Sequence, residues 1–180
     1  MQDGPRILVA AALGKIIEPI LRQSLTDAKV RIAEDKDAVL RAIGDRLRFD
    51  VALIDLTWMD YAVEYSFDGL DVLDALRHAG RQTPVIFAAQ GHGLERAHLD
   101  EAVEQAEVVG IYRKATGPVP LIEAIDIAAS GGRLDVSRFP PGGSPPGIMR
   151  IHAYFSKGRG ATAARLAGAI ASGRDRKSVV

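Results

Sequence analysis

Phe49-Asp50-Val51-Ala52-Leu53-Ile54-Asp55-Leu56 sets four consecutive apolar residues between two carboxylates. A short unbroken apolar run with polar neighbours suits a strand covered on both faces, as in a parallel sheet. Asp55 then stands at the carboxyl end of that strand. In open α/β sheets this is the edge where loops converge and sites are built. A carboxylate there also serves as a plain loop starter, so the flanking segments decide between the two readings.

Further apolar runs at 6–10, 28–33, 84–89 and 108–112 read as strands beside 50–55. Between and after them, helical spacing of apolar residues predicts helices over 14–25, 36–47, 68–78, 94–107 and 118–129. Strands alternating with helices imply βαβ units, right-handed crossovers and a parallel sheet between two helical layers. The expected fold is α/β, a flavodoxin-like (βα)5 three-layer sandwich with strand order 2-1-3-4-5. Asp55 would then face the loops 10–14, 88–93 and 113–117.

Composition is that of a globular chain, 47% hydrophobic and 26% charged, with no cysteine. Thiolate and disulfide chemistry are therefore excluded, and a cytoplasmic location is expected. The first residues, Met-Gln-Asp-Gly-Pro-Arg, do not read as a secretory signal. No apolar run approaches the ~20 residues that span a bilayer. The zero net charge conceals an asymmetry. Residues 1–132 hold 14 Lys+Arg and 21 Asp+Glu, net −7, and residues 133–180 hold nine and two, net +7. An acidic body with a basic tail suggests two modules, the second facing nucleic acid or simply solvent.

Arg6-Ile7-Leu8-Val9, Asp50 to Leu56, Asp68-Gly69-Leu70-Asp71-Val72-Leu73, Pro84-Val85-Ile86 and Gly110-Ile111-Tyr112-Arg113-Lys114 together resemble the receiver domain of bacterial response regulators. The resemblance covers roughly residues 5–130. It implies that Asp55 matches the phosphoryl acceptor and Lys114 the lysine that pairs with the phosphate. The rest of the family's site is replaced. The acidic pair that holds Mg²⁺ after the first strand corresponds to Ala11 and Ala12. The Ser or Thr ending the fourth strand corresponds to Ala89, and the aromatic on the fifth to Ile111, next to Tyr112. Ala115 follows the lysine in place of the usual proline, so a cis peptide is not expected there.

Mg²⁺ wants hard oxygen ligands and offsets charge during phosphoryl transfer. One carboxylate among methyl groups makes a poor site for it, so an atypical receiver, not efficiently phosphorylated, is expected. Three roles stay open for Asp55 and Lys114: a structural ion pair, an anchor for a ligand, or residual phosphorylation. A conventional switch with unusual metal ligands, Glu64 or Asp68, is the alternative.

The stretch 57–67 is longer than the family's usual loop and carries the only Trp. Trp58, Tyr61, Tyr65 and Phe67 either pack on one another or form a lid over a small-molecule pocket. Gly91-His92-Gly93 reads as a flexible connection, and His78 and His98 fall on different helices without metal spacing.

Residues 1–130 thus form the receiver-like unit, 131–147 a Gly/Pro-rich linker, and 148–180 a basic helical segment. Residues 166–180 are similar to the opening of a LuxR-type helix-turn-helix, with Arg174, Arg176 and Lys177 as candidate DNA-phosphate contacts. A basic helix pair used for oligomerisation fits the same residues. The second helix of a helix-turn-helix reads bases, and no such helix follows in these 180 residues. DNA would be bound only by a complete output domain.

The expected protein is the signal-input part of a DNA-binding transcriptional regulator. It is expected to be neither an enzyme nor a cofactor protein, and to form a homodimer through residues 93–129, the surface the resemblance implies. Ligand or partner association would control it in place of phosphate. An adaptor whose acidic body binds its own basic tail is a further alternative.

Overall fold

Val51–Asp55 forms the central strand β3, and all five residues are buried. The structure, a computed structural model, describes residues 4–12, 14–45, 47–57, 67–90 and 95–134. All of them lie in the first of the two units into which the chain divides, Met1–Pro141 and Gly142–Val180. β1 (Arg6–Ala10) flanks β3 on one side and β4 (Val85–Ala89) on the other. β2 (Lys29–Ala33) and β5 (Val108–Arg113) close the two edges, giving the expected order β2-β1-β3-β4-β5 with every pair parallel.

Alternate residues of each strand face opposite layers. Leu8, Ile54 and Phe87 pack with Val39, Leu73 and Leu76 of α2 (Lys36–Gly44) and α3 (Gly69–His78). Val9, Leu53 and Ile86 pack with Leu21, Leu121 and Ile125 of α1 (Gly14–Ser24) and α5 (Pro118–Ala129). α4 (Arg96–Val103) lies on the first side and is the weakest-anchored helix, with Ala102 its one fully buried residue.

Two helices are shorter than their apolar spacing suggests. The helix expected over 36–47 stops at Gly44, because Asp45 adopts an extended conformation, and Leu47 is left 52% exposed. Glycine at a helix end loses little by leaving it. The helix expected over 94–107 spans only Arg96–Val103, and the chain then turns through Gln105 N–H to Ala102 O and Val108 N–H to Gln105 O. Too few apolar residues face the core there for packing to extend the helix.

The start of α3 fixes the edge that carries the site. Asp68 caps it, accepting from Leu70 N–H at 2.8 Å and Asp71 N–H at 3.1 Å, while Asp71 accepts from Asp68 N–H. This is a capping box. Gly69 permits the helix to sit against the end of β3: a Cβ there would lie 2.4 Å from Asp55 O and 3.0 Å from Leu56 Cα.

Candidate functional site

Register brings the ends of three strands together. Asp55 pairs with Ala88, and Ala88 with Tyr112. A 3-10 turn, Lys114–Thr116, follows β5 and swings Lys114 back over the edge. Its Nζ lies 2.9 Å from Asp55 Oδ1, and the Asp55 side chain is only 4% exposed. The two residues that the sequence singles out therefore form an ion pair.

Burial pushes the Asp55 carboxyl above the usual carboxylate range. The Lys114 ammonium and a hydrogen bond from Ala12 N–H oppose that rise without cancelling it, and the carboxylate of Glu95 adds to it. The surrounding side chains are methyl groups: Ala11 is buried, Ala12 packs on the core and Ala89 is buried. The Lys114–Ala115 peptide is trans.

Glu95 was not singled out by sequence. It follows Gly91-His92-Gly93-Leu94 as an isolated acid, yet it is 1% exposed. Thr57 Oγ1 donates to its Oε1 at 2.7 Å, and Gln90 N–H donates to its Oε2 at 2.8 Å. Glu95 stands at the N-cap position of α4 but makes no side-chain cap there. Its carboxylate turns back to the ends of β3 and β4 instead. The only available signal was topological: residues after β4 return to the carboxyl edge of the sheet.

Tyr112 is buried, and its hydroxyl donates to Gly117 O at 2.8 Å. A cleft of about 270 Å³ borders the ion pair, lined by Ile16, Ile17 and Ile20 of α1 with Tyr112, Pro118 and Leu121. Phe67 lies in the core among the residues under α2 and α3, with Lys36 Nζ 5.4 Å from its ring. Asp68 is committed to capping α3, with His98 Nε2 3.7 Å from its Oδ2. His78 Nδ1 lies 2.7 Å from Asp74 O. Trp58, Tyr61, Glu64, Tyr65 and His92, and the tail residues Arg174, Arg176 and Lys177, fall outside the described residues.

The sheet order and the layers around it are those of the receiver fold. Among solved structures the chain is similar to the receiver domain of a Francisella response regulator, with 23% identity, a TM-score of 0.55, and coverage of 71% of this chain and 98% of that one. A receiver domain from Clostridium thermocellum gives 22% identity and a TM-score of 0.54 over 71% and 95%. The receiver domain of a Pseudomonas aeruginosa sensor histidine kinase, which has magnesium coordinated in its active-site cleft, gives 22% and 0.54 over 71% and 98%. No family model and no curated protein matches the sequence.

The receiver fold implies Mg²⁺, and the residues here do not fit it. The positions after β1 offer methyl groups, Glu95 is held by Thr57 and Gln90, and Asp68 by α3. Among the described residues no three His, Cys, Asp or Glu side chains gather into a ligand set. What the arrangement provides is a buried edge whose carboxylates are already engaged: a cation on one, and a hydroxyl and an amide on the other. The described helices include none long and apolar enough to cross a membrane.

Proposed function

We propose that this domain is an atypical receiver, the signal-input part of a DNA-binding regulator in two-component-type signalling, controlled by association instead of Mg²⁺-dependent phosphorylation of Asp55. The replaced positions carry the reading. The residue that would accept a phosphoryl group keeps its lysine, but alanines stand at 11, 12 and 89, where the family's acidic pair and hydroxyl would be. Among the described residues nothing beside Asp55 replaces the missing metal ligands.

Signalling then consists of a shift between association states. A partner or ligand that binds one state better supplies the bias, in proportion to its differential affinity. The open cleft beside the ion pair has an apolar lining, and a mostly apolar small molecule is the second candidate for that bias. In either case the domain binds and switches and performs no catalysis. DNA contacts are assigned to an output domain, for which the basic stretch 148–180 is the candidate.

Sedimentation of the full chain across a concentration series tests this reading. It predicts a reversible monomer–dimer equilibrium unchanged by acetyl phosphate with Mg²⁺. An equilibrium that moves with the phosphodonor, and only while Asp55 is present, would overturn it.

A further inference from the structure

β2 and β5 are the two edges of the sheet, and they are protected differently. Lys29 and Arg31 stand exposed along β2. Cations on an edge strand deter pairing with another strand. β5 reads Val108-Val109-Gly110-Ile111-Tyr112 and carries no charge before Arg113. Its edge is covered by the chain itself.

After α5 the backbone turns at Gly131, whose φ of 83° lies in the left-handed region, and returns beside β5. Leu134 N–H donates to Val109 O at 2.7 Å. The Arg133 guanidinium donates to Ala106 O at 3.3 Å and to Val108 O at 3.0 Å. The Leu134 side chain lies over Gly110, where a Cβ would stand 2.1 Å from Leu134 Cδ1. The three nearest atoms to that Cβ all belong to Leu134, so the glycine is a seat for this one side chain. Leu134 also packs against the core beneath α1 and α5.

We propose that residues 131–134 are a releasable guard on the β5 edge, and that the partner admitted when they lift is the same edge of a second copy of the chain. Gly131 and Gly132 donate back to α5, and among the described residues the guard's hold on the strand edge itself is small: one backbone hydrogen bond, one guanidinium and one leucine. Lifting it exposes uncharged strand backbone, which pairs with any extended partner. A β5 edge meeting its own copy makes an isologous, self-closing contact that repeats every interaction twice. The inference rests on the association reading and supplies what controls it: an arm at the start of the segment that leads on to residues 148–180.

Two substitutions in the full chain release the guard by different means. Gly110→Val fills the seat and suits a strand, and Leu134→Ser removes the side chain that sits in it. Amide exchange at Leu134 reports the guard, and light scattering across a concentration series reports association. The expected result is a protected Leu134 amide in the parent, exchange at least about tenfold faster in both variants, and dimer dissociation constants at least about tenfold lower. Unprotected Leu134 in the parent overturns the guard and leaves the association reading standing. Released guards with a parent-like dimerisation constant overturn the edge as the contact. Parent and variants monomeric at every concentration, with the guard released, overturn the association reading as well. Should Gly110→Val fail to fold, Leu134→Ser and Leu134→Ala carry the test.

Discussion

Asp50 and Asp55 bracket the same strand and are expected to titrate in opposite directions. Arg6 donates to the Asp50 carboxylate from Nε at 3.2 Å, Nη2 at 2.9 Å and its own backbone N–H at 2.8 Å. Those hydrogen bonds hold Asp50 below the usual carboxylate range. Its stabilisation is present above about pH 4, the unfolded carboxylate value, and is lost as pH falls through the lower folded one. Asp55 is shifted up by burial, so the folded state binds its proton more tightly than the unfolded chain does. Its protonation stabilises the fold below the raised value, and that gain is lost as pH rises through it. The parent should therefore lose stability relative to Asp55→Asn as pH rises from about 4 towards 7. Asp50→Asn should be less stable at pH 7, by about 1–2 kcal/mol, and should lose less on further acidification. Urea midpoints across pH check both, and a stability difference between Asp55→Asn and the parent that stays constant with pH would contradict the burial of the Asp55 carboxyl. At this scale sequence was a partial guide. Asp55 was readable as the end of an unbroken apolar strand, and Lys114 through the resemblance to receiver domains. Glu95 was not, because its partners Thr57 and Gln90 come from two different loops.

Helices meet the site through two contacts of different kinds. Gly69 joins α3 to β3 by lacking a side chain. Gly69→Ala forces a Cβ to within 2.4 Å of Asp55 O and should cost about 2–3 kcal/mol. A loss below about 0.5 kcal/mol by chemical denaturation would show that the helix start can shift freely. α4 depends on a side chain instead. Ala102 is its one fully buried residue, Leu99 packs on the core and His98 approaches Asp68, while Glu95 ties its start to the ends of β3 and β4. Glu95→Ala should leave the Thr57 hydroxyl and the Gln90 N–H without that acceptor and cost about 1–3 kcal/mol. Amides of residues 97–103 should exchange at least about tenfold faster while those of β1 and β3 keep their protection. Uniform exchange changes, or none, would mean that α4 is held by packing. The element boundaries show where pattern reading runs out. The end of α2 was set by backbone at Gly44 and Asp45, although Leu47 continued the apolar spacing. The end of α4 was set by thin packing. Apolar period marks what could be helical, whereas burial decides how much of it is.

The molecule's topology was legible because each central strand is an unbroken apolar run: β3 and β4 are buried throughout, and the edge strand β2 alternates. Period, order and short connections leave few parallel arrangements, and the observed order is the expected one. The guard at residues 133–134 was not legible. It arises inside a stretch read as linker, and its seat is an absent side chain at Gly110. The same topology collects the chemistry at one edge: a buried acid, a lysine across from it, and alanines where metal ligands would be. An edge so built would have no use for a phosphoryl group. The direct test is the intact mass of the full chain after incubation with acetyl phosphate and Mg²⁺, beside Asp55→Asn. No phosphoryl adduct is expected on either protein. A Mg²⁺-dependent adduct on the parent that Asp55→Asn abolishes would contradict it.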